Sequence, residues 1–325
     1  MGVSAALGSS ALLPAGLGFR NTLTNGSFQV DQRNSSAAQT ITSGAVLAYT
    51  ADRWYAYCTG ANVTGQRIAG LAPYQYNYQF TGATSNTLVG FGQRIEAANS
   101  FNYAGNTATL SANIKSSSLT SITWTLYYAT TTDTFGTIAS PTRTQIATGT
   151  FTISATLANY TAQIVVPAAA TTGLELVFTT GALVASQTLV FAGIQLEQNT
   201  KATPFEQRPI GTELALCQRY YYRYVSGTTL FVSNGFYSFT SLVNASVYFP
   251  VTMRAVPSLV ASSGTDYYVA SFGFSNDTFN SFTIFNPSTS STSMYNSTEV
   301  SASANQPAVI YTNNASASIA FNSEL

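Results

Sequence analysis

The chain has 325 residues, only 7% of them Asp, Glu, Lys or Arg, and its twelve basic and twelve acidic residues cancel. So neutral a chain offers no basic footprint to phosphate backbones, which argues against nucleic-acid partners. It has no histidine, so it can build neither a Ser-His-Asp triad nor a Cys-His pair.

Its polarity comes from Ser, Thr, Asn, Gln and Tyr, which solubilise through hydrogen bonds and favour strands and turns over helices. Twenty Tyr and twenty Phe argue for order rather than disorder, and the length suits two domains. Near-zero net charge favours association.

Residues 1–19 are apolar but lack a basic n-region, since the first positive charge is Arg20. Ala6 stands where myristoylation wants Ser or Thr. No apolar run reaches the ~18 residues of a membrane span, so no membrane insertion is expected. This stretch reads as an anchoring peptide that docks on a partner.

From about 20 to 209 the hydrophobic period is two. Ala108, Leu110, Ala112 and Ile114 share one face, as do Ile122, Trp124, Leu126 and Tyr128. Further on, Leu174, Leu176 and Phe178 align, and so do Val190, Ala192, Ile194 and Leu196. Roughly ten strands punctuated by turns such as Asn25-Gly26 and Thr172-Gly173 predict an all-β jelly-roll sandwich. Trp124 is expected in its core, and so is Trp54, with a place at the sandwich rim as the alternative.

Residues 210–225 read as a linker with one short helix, which Thr212 could N-cap with Glu213 in its first turn. Residues 226–325 read as a smaller C-terminal β-sandwich or head domain, with a hairpin turning near Asn244. Cys58 and Cys217 make no disulfide framework and are expected as buried free thiols. Metal-ligand spacing is absent, and no cofactor is expected.

Three stretches together resemble a family. The first domain opens on "FRNTLTNGSFQVDQR" and "YTADRW", and "PFEQRPIGTELALCQRYY" follows its close. With "PVTMRAVPSL" further on, their order is similar to that in tail-fibre proteins of bacteriophages and prophages. The resemblance implies a jelly roll similar to carbohydrate-binding modules, then a smaller β domain. It also implies a homotrimer on the virion, made in the bacterial cytoplasm, that contacts host surface polysaccharide. Residues 1–19 would then hold other virion proteins. Modules of that kind often hold calcium beside an opening "NG-F-E" strand. Here the opening reads Asn25, Gly26, Ser27, Phe28, Gln29 and the last strand carries Gln195, so the expected carboxylates are missing.

Two stretches are candidates for glycan contact, because a sugar needs rings beside amide or carboxylate groups. One is Tyr74, Tyr76 and Tyr78, interleaved with Gln75, Asn77 and Gln79. The other is Asp266, Tyr267, Tyr268, Asn276 and Asp277. The run "CQRYYYRY" is expected to build an oligomer interface. Tyr220, Tyr222 and Tyr224 would fill a shared core, and Arg219 and Arg223 would pair with carboxylates of a neighbouring copy.

Paired carboxylates can cleave glycosides, but nothing in the spacing of Asp31, Asp52, Glu96, Asp133, Glu175, Glu197 and Glu206 marks a pair. The expectation is a non-enzymatic short tail fibre that adheres to host glycans. The alternatives are a capsid decoration or tail adaptor protein with a purely structural role, and a glycan-degrading tailspike.

Overall fold

A computed structural model describes residues 19–44, 46–70 and 72–325. The anchoring peptide therefore lies outside the described residues, except for Phe19. By contacts the chain divides into two compact units. The first comprises the residues up to Phe28, Gln39–Ala48 and Tyr55–Arg208; the second comprises Gln29–Ala38, Tyr49–Trp54 and Pro209–Leu325.

The first unit is a jelly-roll sandwich of two six-stranded antiparallel sheets. One runs β1 (Gln39–Ile41), β4 (Val63–Ala69), β5 (Tyr76–Thr81), β12 (Thr188–Glu197), β7 (Thr107–Ser116), β10 (Ala158–Val165). The other runs β2 (Ala48–Tyr49), β3 (Tyr55–Thr59), β6 (Leu88–Ile95), β11 (Leu174–Thr179), β8 (Ser121–Ala129), β9 (Arg143–Thr152). Alternation buries Ala108, Leu110, Ala112 and Ile114 of β7 completely, and it buries Trp124 of β8. Between the sheets Tyr78 stacks on Phe91 at 5.4 Å, and Phe191 meets Phe91 at 5.0 Å and Phe178 at 5.3 Å. Such ring pairs add to the area they bury.

One face assignment is corrected. Register shifts in β12 between Ala192 and Gln195, because Gly193 adopts a left-handed φ of 49° and a β-bulge forms. Before the bulge Phe191 pairs with Ile114 and faces the core; after it Leu196 pairs with Leu110. Ala192 instead shares the outer face of Asn113, its ladder partner. Alternation cannot carry a face through a bulge.

The second unit contains a helix over Ile210–Gln218 and two sheets. The smaller sheet runs β13 (Tyr221–Ser226), β22 (Ser318–Asn322), β16 (Ser258–Ala261). The larger runs β18 (Ser275–Phe279), β17 (Tyr268–Phe272), β21 (Pro307–Thr312), β14 (Phe231–Phe239), β15 (Leu242–Tyr248), β20 (Ser291–Asn296), β19 (Thr283–Phe285). Val232, Tyr237, Val243, Tyr268, Ile310 and Phe321 belong to its core. The helix starts at Pro209, whose position as N-cap leaves Thr212 inside the first turn with Glu213. A second, one-turn helix spans Ala97–Ser100. The hairpin turns at Thr240-Ser241, not at Asn244, since Phe239 pairs with Leu242.

Two loops within 20–209 group with the second unit, and 210–225 carries the helix and most of β13. Residues 29–38 and 49–54 group with the second unit because their polar side chains bond there. Gln32 Nε2 donates to Asp52 Oδ1 at 2.7 Å and to the Tyr221 carbonyl at 2.8 Å. Glu324 accepts from Arg33 at 3.1 Å and also from Arg53. Trp54, in the second of these loops, is fully buried. Both cysteines are buried free thiols. Among the described residues no helix is long and apolar enough to cross a membrane.

Candidate glycan-binding cleft

The bulge in β12 lies in the wall of a recess on the first unit. A side chain at 193 would project from the sheet face, and glycine leaves that space to Tyr74. The Tyr74 ring lies across Gly193, and Asn113 Nδ2 donates to its hydroxyl at 2.7 Å. Phe205 meets the same ring edge-on at 5.5 Å. The resulting cleft has a volume of about 540 Å³. Its polar wall is Ser111 and Asn113 on β7 with Asn159 on β10, which pairs directly opposite Asn113. Pro73, Pro204 and Phe205 supply apolar surface, and Gln207 closes one end.

The strap 203–207 is held down by buried polar groups. Glu197 is 2% exposed and accepts from Thr203 N at 2.8 Å and Gln195 Nε2 at 2.9 Å. Gln195 Oε1 accepts from Glu206 N at 2.8 Å. Glu206 in turn accepts from Asn21 N at 2.8 Å and pairs with Arg208 at 3.1 Å. Burial alone would raise the Glu206 carboxyl, but the Asn21 N–H and the Arg208 charge hold it below its ordinary value. These carboxylates brace the strap and do not line the cleft, whose lining residues are all uncharged.

The predicted sugar contacts divide. Tyr74 lines the cleft. Tyr76 lies half-buried at the start of β5, with the Arg67 guanidinium 4.2 Å over its ring. Tyr78 is 2% exposed and belongs to the core, so it cannot meet a ligand. Its ladder partner Phe191 faces inward, so the ring-bearing face of β5 points into the sandwich. Sheet order brings Asn113 and Asn159 to the site, and the strap brings Phe205 and Gln207. The sequence reading missed all four, and only Gly193 within an apolar strand pattern signalled the bulge.

In the second unit the other candidates do not converge. Tyr268 is fully buried, and Tyr267 packs against the core. Asp277 accepts from the Tyr237 hydroxyl at 3.0 Å, and Asp266 sits in a turn with a φ of 56°. Asn276 alone of them lines a shallow recess, of about 250 Å³, together with Ser271, Tyr311 and Asn313.

The tyrosine run is spent within the second unit. Tyr220 is buried with the Arg53 guanidinium 3.3 Å over its ring, and Tyr221 lies likewise 3.7 Å from Arg33. Tyr222 packs on Phe321 at 6.5 Å, and Tyr224 does the same at 6.5 Å. Within the chain both arginines of the run meet backbone carbonyls. Arg219 donates to the Thr252 carbonyl at 3.4 Å, and Arg223 donates to the Arg33 carbonyl.

Among the described residues no group of three or more Cys, Asp or Glu side chains is placed to hold a metal ion. Of the candidate catalytic carboxylates, Glu175 is fully buried between Arg94, at 2.9 Å, and Arg143. Asp52 is fully buried too, and Asp133 Oδ1 accepts from Ala97 N at 2.7 Å.

No protein-family model matches the chain, and no curated protein matches it in sequence. Solved structures do. The carbohydrate-binding module CBM4 is 16% identical with a TM-score of 0.33, over 54% of this chain and 98% of its own. The module TmCBM61, solved with β-1,4-galactotriose, is 10% identical with a TM-score of 0.34, over 55% and 99%. The enzymatically active domain of bacteriophage CBA120 tailspike protein 4 is 13% identical with a TM-score of 0.33, over 55% of this chain and 22% of its own.

Proposed function

We propose that this chain is a non-enzymatic adhesion protein of a bacteriophage virion, a short tail fibre. It would hold a neutral host surface polysaccharide in the cleft of the first unit. The observation that carries this is the cleft's chemistry. Amides of Asn113, Asn159 and Gln207 and the Ser111 hydroxyl stand beside Tyr74 and Phe205, with no charge among them. Amides both donate and accept, as do sugar hydroxyls, and rings and prolines suit the apolar face of a pyranose. A charged ligand would lose its hydration there and find no counter-charge. Attachment to the virion, the homotrimer and docking through residues 1–19 rest on the resemblance of "PFEQRPIGTELALCQRYY" and its companion stretches. Weak single-site contacts would gain strength from several copies per particle.

The test is a glycan array of neutral oligosaccharides, followed by calorimetry on any hit. The double variant Asn113→Ala, Gln207→Ala should bind about 10- to 100-fold more weakly, the loss of one or two hydrogen bonds. Affinity unchanged in that variant, with an unchanged melting temperature, would remove the cleft from the proposal. New reducing ends during incubation with host polysaccharide would favour the tailspike alternative.

A further inference from the structure

The outward face of the seven-stranded sheet in the second unit carries a chemistry that no site above uses. Of all residues in its seven strands only Asp277 is charged, and Asp277 is bonded to the buried Tyr237. Alternation turns Phe236, Tyr248 and Phe285 outward, at 50%, 79% and 52% exposure. Register joins them. Phe236 pairs with Asn244, Asn244 with Tyr295, and Tyr295 with Thr283. Tyr295 meets Phe285 edge-on at 6.1 Å, and Phe231 pairs with Tyr311 at 6.3 Å. Serines fill the next row, where Ser246 pairs with Ser293 and Ser293 with Phe285.

Rings set among small uncharged polar groups, with charge excluded, are the composition of the buried centre of a protein interface. Apolar surface of this extent left in water marks a contact site. Phe231, Phe236, Phe239 and Phe285 stand at least half exposed in these strands, and a phenyl ring has no polar tip to satisfy a wet surface. Size fits as well. Seven strands about 4.8 Å apart and three to nine residues long, at ~3.4 Å each, project over roughly 600 Å². Protruding rings bring the accessible area towards the ~800 Å² that each partner contributes to a stable interface.

We propose that copies of this chain pack against one another through this face, with Phe236, Tyr248 and Tyr295 at the centre. A charged partner surface would be desolvated against it without compensation. A second copy supplies a face of the same extent and the same lack of charge. The recess beside Tyr311, bounded by Ser271 and Asn276, offers a socket for a ring of the facing copy. The interface does not rest on the glycan cleft, which lies in the other unit.

The experiment is light scattering on the full chain at low and high micromolar concentration, with Phe236→Asp, Tyr295→Asp and, as control, Phe101→Asp in the first unit. The wild type and the control should form a multimer, and either face variant should dissociate at least ~100-fold more readily, about 2.7 kcal/mol. A dimer or a trimer supports the proposal equally. A wild-type monomer at every concentration overturns it, and so does a multimer indifferent to both face substitutions. Should the variants fail to fold, hydroxyl-radical footprinting of the unaltered chain reads the same face. Protection of Tyr248 that rises with concentration supports the interface, and full labelling of Tyr248 within a multimer overturns it.

Discussion

Gly193 and Tyr74 share one space: a Cβ added at 193 would lie 2.2 Å from Tyr74 Cε1. The left-handed φ of 49° at the same position adds backbone strain to any side chain. Gly193→Ala should therefore push the Tyr74 ring off the cleft floor and break its bond from Asn113. Expected are a loss of about 1–3 kcal/mol of stability and a larger proportional loss of glycan affinity. Denaturant melts alongside calorimetry check this. Unchanged affinity in a destabilised variant would show that the ring is only packing.

The strap over the cleft should respond to acid. The Glu206 carboxyl is held below its ordinary value, so its stabilisation is present above that value and is lost as pH falls through the folded one. Asp52 has the opposite sign, because burial raises its carboxyl; its contribution is greatest at low pH and is lost as pH rises. The difference between wild type and Glu206→Gln isolates the strap. The variant should lose about 1–2 kcal/mol at neutral pH, and the two melting curves should converge as pH falls through the lowered Glu206 value. A gap independent of pH would contradict this.

Glu175 anchors the outer side of the second sheet of the sandwich. Tyr55 donates to its Oε1 at 2.5 Å, Arg94 does so at 2.9 Å, and Arg143 takes Oε2. Removing the carboxylate leaves two buried guanidiniums without their counter-charge. Glu175→Ala should cost about 3–5 kcal/mol, whereas exchanging the whole set for packed apolar residues should cost far less. Chemical denaturation of both variants measures the contrast.

Tyr222→Ala should act on stability before it acts on assembly. Its ring lies half-buried against Phe249 at 6.4 Å and Phe321 at 6.5 Å. A loss of about 2–4 kcal/mol is expected in the unfolding of the second unit. A fully stable variant with altered subunit number would return the tyrosine run to the intersubunit role first expected of it.

How far the sequence was legible follows from the physics of each signal. Period two was enough to place Ala108 through Ile114 and Trp124 in a sandwich core, because alternation is a local property of strands. The same rule misplaced Val190 and Ala192 relative to Ile194, since a bulge resets it. It identified Tyr76 and Tyr78 as a shared face but could not say which way that face turned. The cleft was mostly illegible: Asn113 and Asn159 meet only through sheet order, and Phe205 reaches them on the strap. The tyrosine run was visible as unusual, yet the stacking of Arg33 on Tyr221 and Arg53 on Tyr220 depends on pairings well over a hundred residues apart.

Those pairings have a bearing on synthesis. The loops at 29–38 and 49–54 are translated before most of the jelly roll, and the groups that receive them, from Tyr220 to Glu324, after it. Nascent chains must therefore carry Arg33 and Arg53 without the Glu324 counter-charge through the making of the jelly roll. A cut at Arg208–Pro209 would not yield a self-sufficient distal fragment, since the excised piece would leave two of its own loops behind.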